Sequence, residues 1–217
     1  EYDRTLSPYA CKTSECQKLR KEESEHEEFD IRWPFEEDID RILYCKSYQR
    51  YTDKTQALSF FQSAHISKRS IHVQWVSRIA RQIGKGLNLN LDLIEAAALG
   101  HDLGHAPYGH VGEKILSSLS IKHGLEPFWH EKNSLHLIDD LCLLEDDQHI
   151  EHNLDLTYAV RDGIIAHCGE VNQRRIKPRD EKIDLKDFKS PGLYQPYTLE
   201  GCVVKISDKI AYLARDI

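Results

Sequence analysis

Glu95-Ala96-Ala97-Ala98-Leu99-Gly100-His101-Asp102-Leu103-Gly104-His105 is an apolar, Ala-rich run that ends in an imidazole beside a carboxylate. Alanine and leucine favour a helix, and Gly104 and Pro107 end it. Burying an imidazole or a carboxylate without a partner is costly, so a polar pair at the end of such a run needs a reason. A divalent cation is the most economical one, and the rest of the chain is read for the remaining ligands.

Around this run the patterning is helical. Asn90 is placed to cap a helix from Leu91 to about Asp102, with Ile94, Ala97, Ala98 and His101 on one face. Upstream, Ser67 to Leu87 carries Ile71, Trp75, Val76, Ile79, Ala80 and Ile83 as one apolar stripe, with His72 at its edge and Arg69 roughly one turn before it. Gly84, Gly86 and Asn88 close that helix. A helix is also expected from Phe35 towards Arg50. Tyr51 to Ala64 reads as a short hairpin or an irregular loop. Downstream, helices are expected from His110 to about Ser120, from His130 to Leu144 and from Leu154 to Cys168. Asn172 to Pro196, charged and broken by Pro178, Pro191 and Pro196, reads as an exposed loop. Thr198 then caps a final helix whose core stripe is Val203, Ile206, Ile210, Leu213 and Ile217. Strand signals are few, and the expectation is an all-α domain over residues 35–217 behind a polar, solvated arm at 1–34.

The 217 residues and a 40% hydrophobic share support one sizeable core. A formal charge of −7 argues against a general nucleic-acid binder, whose footprint would be basic. No apolar run approaches the ~20 residues of a spanning helix, and no secretory signal opens the sequence. The six cysteines, Cys11, Cys16, Cys45, Cys142, Cys168 and Cys202, form no C-x-x-C pair and read as reduced thiols of a cytoplasmic protein, Cys11 and Cys16 being a weak zinc candidate. There is no Met, and the sequence stops at Asp216-Ile217 inside a helical pattern, so a piece of a longer protein is expected.

Four groups on helices complete the constellation: His72, His101, Asp102 and Asp208. Taken singly, each has an ordinary structural reading, as a hydrogen-bonded core histidine, a chance dipeptide or an ion-pair partner. As an ordered set they form a mixed nitrogen and oxygen donor group suited to Mn, Fe, Co, Zn or Mg. An octahedral ion held by four protein ligands keeps two positions open, as a catalytic ion requires. Asp208, Tyr212 and Asp216 recur at i, i+4 and i+8, so one helix presents a ligand, a ring and a carboxylate in a row.

Arg69-x-x-His72, the run Gly100 to His110 and Ser207-Asp208-Lys209 resemble the HD-domain phosphohydrolases, and within them the dGTPase-like deoxynucleoside triphosphate triphosphohydrolases. Further similar stretches are Leu6 to Ala10, Asp38 to Ile42, Tyr48 to Gln56, His130 to Ser134, Leu156 to Gly163 and, most specifically, Asp208 to Ile217. The resemblance implies an HD-domain helical bundle that hydrolyses a dNTP, with dGTP favoured, to deoxynucleoside and triphosphate. His72, His101, Asp102 and Asp208 would hold the divalent metal. His130, Glu131 and His105 would be catalytic groups near the α-phosphate. Arg69 and Lys209 would contact the triphosphate, His110 the phosphate, and Tyr212 and Asp216 the deoxyribose, with Arg50 at a sugar-contacting position. It also implies a homo-oligomer open to a dNTP effector.

Val73 stands where the family commonly has Ser, and Gly100 where it often has Ala; neither is a ligand. His26, His65, His123, His136, His149, His152 and His167 read as surface or core residues. Two other functions fit the same donors: a phosphohydrolase of nucleoside monophosphates or of a hyperphosphorylated guanine nucleotide, and a non-catalytic nucleotide-sensing module.

Overall fold

The structure, a computed structural model, describes residues 2–16, 32–54, 68–146, 148–169 and 175–213. Its helices in chain order are α1 (Tyr2–Thr5), α2 (Thr13–Cys16), α3 (Pro34–Tyr44), α4 (Lys46–Gln49), α5 (Arg69–Gly86), α6 (Leu91–Gly100), α7 (Gly109–Lys122), α8 (His130–His136), α9 (Tyr158–Ile165) and α10 (Leu199–Leu213). Strands β1 (Leu143–Glu145) and β2 (Glu151–Asn153) pair antiparallel, Leu144 opposite His152. They are the only strands among the described residues, and the fold is all-α as expected.

The layout follows from α6. Its residues are apolar on nearly every side, and a helix apolar all round belongs inside. Leu93, Ile94 and Ala96 to Gly100 are all buried, and α3, α5, α9 and α10 pack around it. One core cluster joins Leu93, Ala96 and Leu99 to Phe35, Ile42, Val73, Val160 and Ile164. A second joins Ile94, Ala97 and Ala98 to Val76, Ala80, Val203, Val204 and Ala211. Each large aliphatic side chain so buried is worth about 1.5–3 kcal/mol relative to exposure. The caps are as read: Asn90 Oδ1 accepts from the amides of Asp92 and Leu93 at 3.2 Å each, and Thr198 Oγ1 from that of Gly201 at 3.0 Å.

Several expectations are corrected. On α5 the buried face is Arg69, His72, Val73, Val76, Ser77, Ala80 and Gly84, while Ile71 and Trp75 are half exposed. On α10, Val203, Val204, Ser207 and Ala211 are buried, but Ile206, Ile210 and Leu213 of the expected stripe are exposed. Hydropathy cannot count an Arg, a His or a Ser as interior, yet the faces turned inward carry them. The expected helix from His130 to Leu144 is α8, a single wide turn over Leu137–Leu141, and then β1. The Phe35 helix breaks at extended Cys45. Arg50–Thr52 forms a 3₁₀ turn, and residues 55–67 lie outside the described ones.

The loop expected to be exposed is anchored. Leu185 and Phe188 are buried against Trp129, Leu135, Ile165 and Ala166. Asp162, fully buried on α9, accepts from the amide of Tyr197 at 2.7 Å and pairs with Arg179 at 2.5 Å. Within the stretch read as an arm, residues 2–16 are docked. The Ser7 amide bonds to the Asn88 carbonyl at 2.7 Å, that of Cys11 to Glu200 at 3.0 Å, and Asn90 reaches the Cys11 carbonyl and Thr13. Residues 17–31 lie outside the described ones.

Candidate metal centre

The centre forms where the ends of α6 and α8 meet the middle of α10 and the first turn of α5. Gly104, just past the end of α6, sits directly on the backbone of His130, Asn133 and Ser134, where a Cβ has no room. Its amide donates to Ser134 Oγ at 2.8 Å, Ser134 Oγ donates to the His101 carbonyl at 3.1 Å, and Asn133 Nδ2 donates to the Gly104 carbonyl at 2.9 Å. Lys54 Nζ holds the same loop through the carbonyls of Leu103 at 3.3 Å and His105 at 2.8 Å. This seating brings His130 and Glu131 to the His101-Asp102 pair.

The expected ligands converge. His72, His101 and Asp208 have ligand atoms within 4.8 Å of one another. His72 Nε2 lies 2.8 Å from Asp208 Oδ1. His101 donates Nδ1–H to the Ala98 carbonyl at 2.7 Å, which turns Nε2 inward. That Nε2 is buried without a hydrogen-bond partner, 3.5 Å from Asp102 Oδ2 and 3.8 Å from Asp208 Oδ1. An inward imidazole lone pair between two carboxylates is the donor arrangement that a divalent cation uses. Asp102 is the least free of the four, because Oδ2 also accepts from Arg69. Arg69, expected at a triphosphate, is itself buried.

Electrostatics match. Burial alone would raise the Asp102 carboxyl, but His101 and Arg69 outweigh it and hold it well below the usual carboxylate range. Burial likewise opposes the charge on Asp208, and the His72 hydrogen bond and His101 prevail. Both carboxylates thus favour the ionised form.

A second row of histidines flanks Asp102. His105, His130 and Asp102 also bring ligand atoms within 4.8 Å, and the His105 and His130 rings lie 4.8 Å apart. Burial pushes His105 down to about 3. His130 goes the other way: burial disfavours its charge, but the hydrogen bond to Glu113 and the nearby Glu131 and Asp102 carboxylates push it up to about 9. His110 is exposed, with Nδ1 3.3 Å from Glu113 Oε2. Tyr212 packs its ring 5.0 Å from His72. Lys209 is half-buried beside Asp208. Arg50 is exposed on its turn. Asp216 lies outside the described residues.

Two residues of the site escaped the sequence reading. Glu113 takes the His130 amide and Nδ1 on Oε1, both at 2.9 Å, and faces His110 with Oε2. Its signal was His110-x-x-Glu113, a helical i, i+3 pair. His167, read as a surface or core residue, is buried with its ring 4.9 Å from that of His101 and Nε2 4.0 Å from Asp102 Oδ1. Its signal was an apolar run ending in His, as in α6.

Residues 69–213 match the family model described as the HD domain. A deoxyguanosinetriphosphate triphosphohydrolase-like protein of Caldanaerobacter subterraneus subsp. tengcongensis is 41% identical over 212 residues, 98% of this chain and 52% of that protein. One of the same name from Desulfatibacillum aliphaticivorans is 37% identical over 98% of this chain and 53% of its own. A third, from Clostridium tetani, is 38% identical over 87% and 46%. The chain thus spans about half the length of these curated relatives.

Proposed function

This chain belongs to the HD domain family, and on that premise we propose that it is the catalytic part of a metal-dependent deoxynucleoside triphosphate triphosphohydrolase that cleaves dNTP, dGTP foremost, to deoxynucleoside and triphosphate. The observation that carries the reading is the inward, unpartnered His101 Nε2 between the ionised Asp102 and Asp208 carboxylates, with His72 on Asp208. That donor set fits a divalent ion of the Mn, Fe, Co, Zn or Mg kind, held by His72, His101, Asp102 and Asp208. When bound, such an ion polarises a phosphoryl oxygen and makes water a better nucleophile.

The chain's own groups divide the remaining work. His105, kept neutral by burial, accepts a proton. His130, whose carboxylate neighbours favour its cation, places positive charge beside the α-phosphate, with Glu131 and Glu113 orienting the ring. Two imidazoles with affinities pushed apart suit opposite roles in proton transfer. Lys209 and His110 supply charge and hydrogen bonds to the polyphosphate, while Arg69, buried in its pair with Asp102, holds that carboxylate in place. The Tyr212 ring, beside His72, supports the sugar and crowds a 2′-hydroxyl. Arg50 enters this reading through the resemblance alone, as do assembly into oligomers and a dNTP effector; Asp216 rests on the resemblance and on its i, i+4, i+8 spacing with Asp208 and Tyr212, and a cytoplasmic location on the cysteine pattern.

The family resemblance and the relatives' names support the substrate. Product analysis tests it: the chain, or the longer protein that contains it, is incubated with each dNTP and Mn or Mg. Triphosphate and deoxynucleoside are expected. Release of pyrophosphate or single phosphate, or turnover only of monophosphates, overturns the reading.

A further inference from the structure

Two cysteines that the proposed reaction does not use share one corner of the core. Cys45 lies at the extended joint between α3 and α4, and Cys142 between the wide turn after α8 and strand β1. Their thiols are hydrogen-bonded to each other. We propose that Cys45 and Cys142 are a peroxide-sensitive pair, in which Cys142 is oxidised first and Cys45 then closes a reversible disulfide on it.

The neighbours hold both sulfurs in place. Cys45 Sγ accepts from the Tyr48 amide at 3.4 Å, and Ser47 Oγ lies 3.0 Å from Cys142 Sγ. Both cysteines belong to the core cluster built around Phe35, Ile42 and Val160. A free cysteine in such a place is ordinarily an inert, small apolar filler. Here sulfur meets sulfur and polar donors, so the pair carries chemistry that a lone buried thiol does not.

The two roles are unequal. The hydrogen bond from Cys45, and then those from Ser47, outweigh burial and hold the Cys142 thiol below its usual range. The same bond seen from the other side, together with burial, pushes the Cys45 thiol up. Cys45 therefore keeps its proton and donates S–H to the Cys142 sulfur. The thiolate is the nucleophile, and Cys142 is the one that favours it. Exposure gives the same order: Cys45 is fully buried, whereas Cys142 is 7% exposed between the exposed Leu141 and Leu143. A small oxidant reaches Cys142 from the strand side.

Hydrogen peroxide balances the step. The Cys142 thiolate attacks one peroxide oxygen, the O–O bond breaks, and the departing hydroxide takes up a proton to become water, leaving a sulfenic acid. The Cys45 sulfur then attacks the Cys142 sulfur, the S–O bond breaks, and the oxygen leaves as water with the Cys45 proton. Two thiols are oxidised and one peroxide is reduced to two waters. The link joins the turn after α8 to the segment that seats the metal loop. In that segment Tyr51 donates its hydroxyl to the Leu99 carbonyl at 3.2 Å, and Lys54 holds the carbonyls of Leu103 and His105. A disulfide that forms and is reduced again is the kind that a reducing compartment uses for sensing.

Neither cysteine belongs to a metal-competent donor group among the described residues. The test needs no nucleotide, and its failure leaves the triphosphohydrolase reading standing. The folded chain is reduced, freed of reductant, treated with a small excess of hydrogen peroxide, alkylated in denaturant, digested and mapped by mass spectrometry. A linked Cys45–Cys142 peptide pair is expected, with both thiols lost to alkylation and both recovered by dithiothreitol. In Cys45→Ser, Cys142 should stop at the sulfenic acid and take up dimedone. In Cys142→Ser, Cys45 should remain a thiol. Unaltered thiols at both positions of the treated parent chain overturn the proposal whether or not the variants fold. A link from either residue to another cysteine overturns it too, as does dimedone on Cys45 in place of Cys142.

Discussion

Arg69 and Asp102 form an ion pair in which both side chains are shut away from solvent. The pair ties the first turn of α5 to the end of α6, and it means that a cation drawn to Asp102 shares that carboxylate with a guanidinium. Breaking a buried pair from one side leaves an uncompensated charge and typically costs about 3–5 kcal/mol. Arg69→Leu should therefore lower the stability of the metal-free chain by roughly that amount, with Mn2+ recovering part of it. Urea unfolding with and without metal checks this, and a loss below about 1 kcal/mol would show that Asp102 does not depend on Arg69.

Asp208→Asn keeps an oxygen near His72 and removes the charge that a cation needs. The fold should survive with circular dichroism unchanged, while metal affinity drops at least on the order of 100-fold, beyond what losing a supporting residue usually costs. Turnover should fall with it. Calorimetric metal titration reads the effect, and unaltered affinity would remove Asp208 from the ligand set.

Gly104 rests on the backbone of His130, Asn133 and Ser134 with no space for a methyl group. Gly104→Ala must push the loop off α8. Overpacking of this kind costs about 1–3 kcal/mol, and displacing His130 from Asp102 should cut turnover by more than the change in stability explains. Equal stability and equal kcat/KM in the variant would show that the seating is slack.

Acid and alkali should destabilise the metal-free chain through different histidines. His105 is held at about 3 when folded, against ~6.5 unfolded. The unfolded chain takes up that proton first, so its contribution is complete above about pH 6.5 and is lost as pH falls towards 3. His130 is raised to about 9, so its contribution is complete below about pH 6.5 and is lost as pH rises through 9, roughly 3 kcal/mol in all. In chelator, His130→Gln should flatten the alkaline limb of stability against pH and His105→Gln the acid limb. Limbs that stay unchanged in both variants contradict the assignment.

A divalent cation that binds only the folded chain should raise its melting temperature. At a free concentration about 100-fold above Kd the gain is roughly 2.7 kcal/mol. Differential scanning calorimetry with Mn2+, then with excess chelator, should show the shift and its reversal. A melting temperature indifferent to metal would argue that the donors are satisfied by one another.

The helices and their caps were legible along the chain because they depend on neighbours a few residues apart. Asn90 and Thr198 cap where they were read, and α6, apolar on nearly every side, is central as such a helix must be. His72, His101, Asp102 and Asp208 were legible as a candidate set through spacing and resemblance, because each is a metal-competent side chain on a helix or just past its end. The inward faces of α5 and α10 were not. Hydropathy assigned Ile71, Trp75, Ile206 and Ile210 to the core and placed His72 at the inward edge of its stripe; packing keeps His72 inside, brings in Val73, Ser207 and Ala211, and leaves the first four exposed. Periodicity supplies a helix with an apolar face but not the partners that choose its rotation. His167 and Glu113 depended still more on the folded arrangement, since nothing near them in sequence reports that the ends of α6, α8 and α9 meet at one point. Local patterning settled the elements and the candidate ligands; the convergence of helix ends, contributed from segments far apart in the chain, settled which groups share a site.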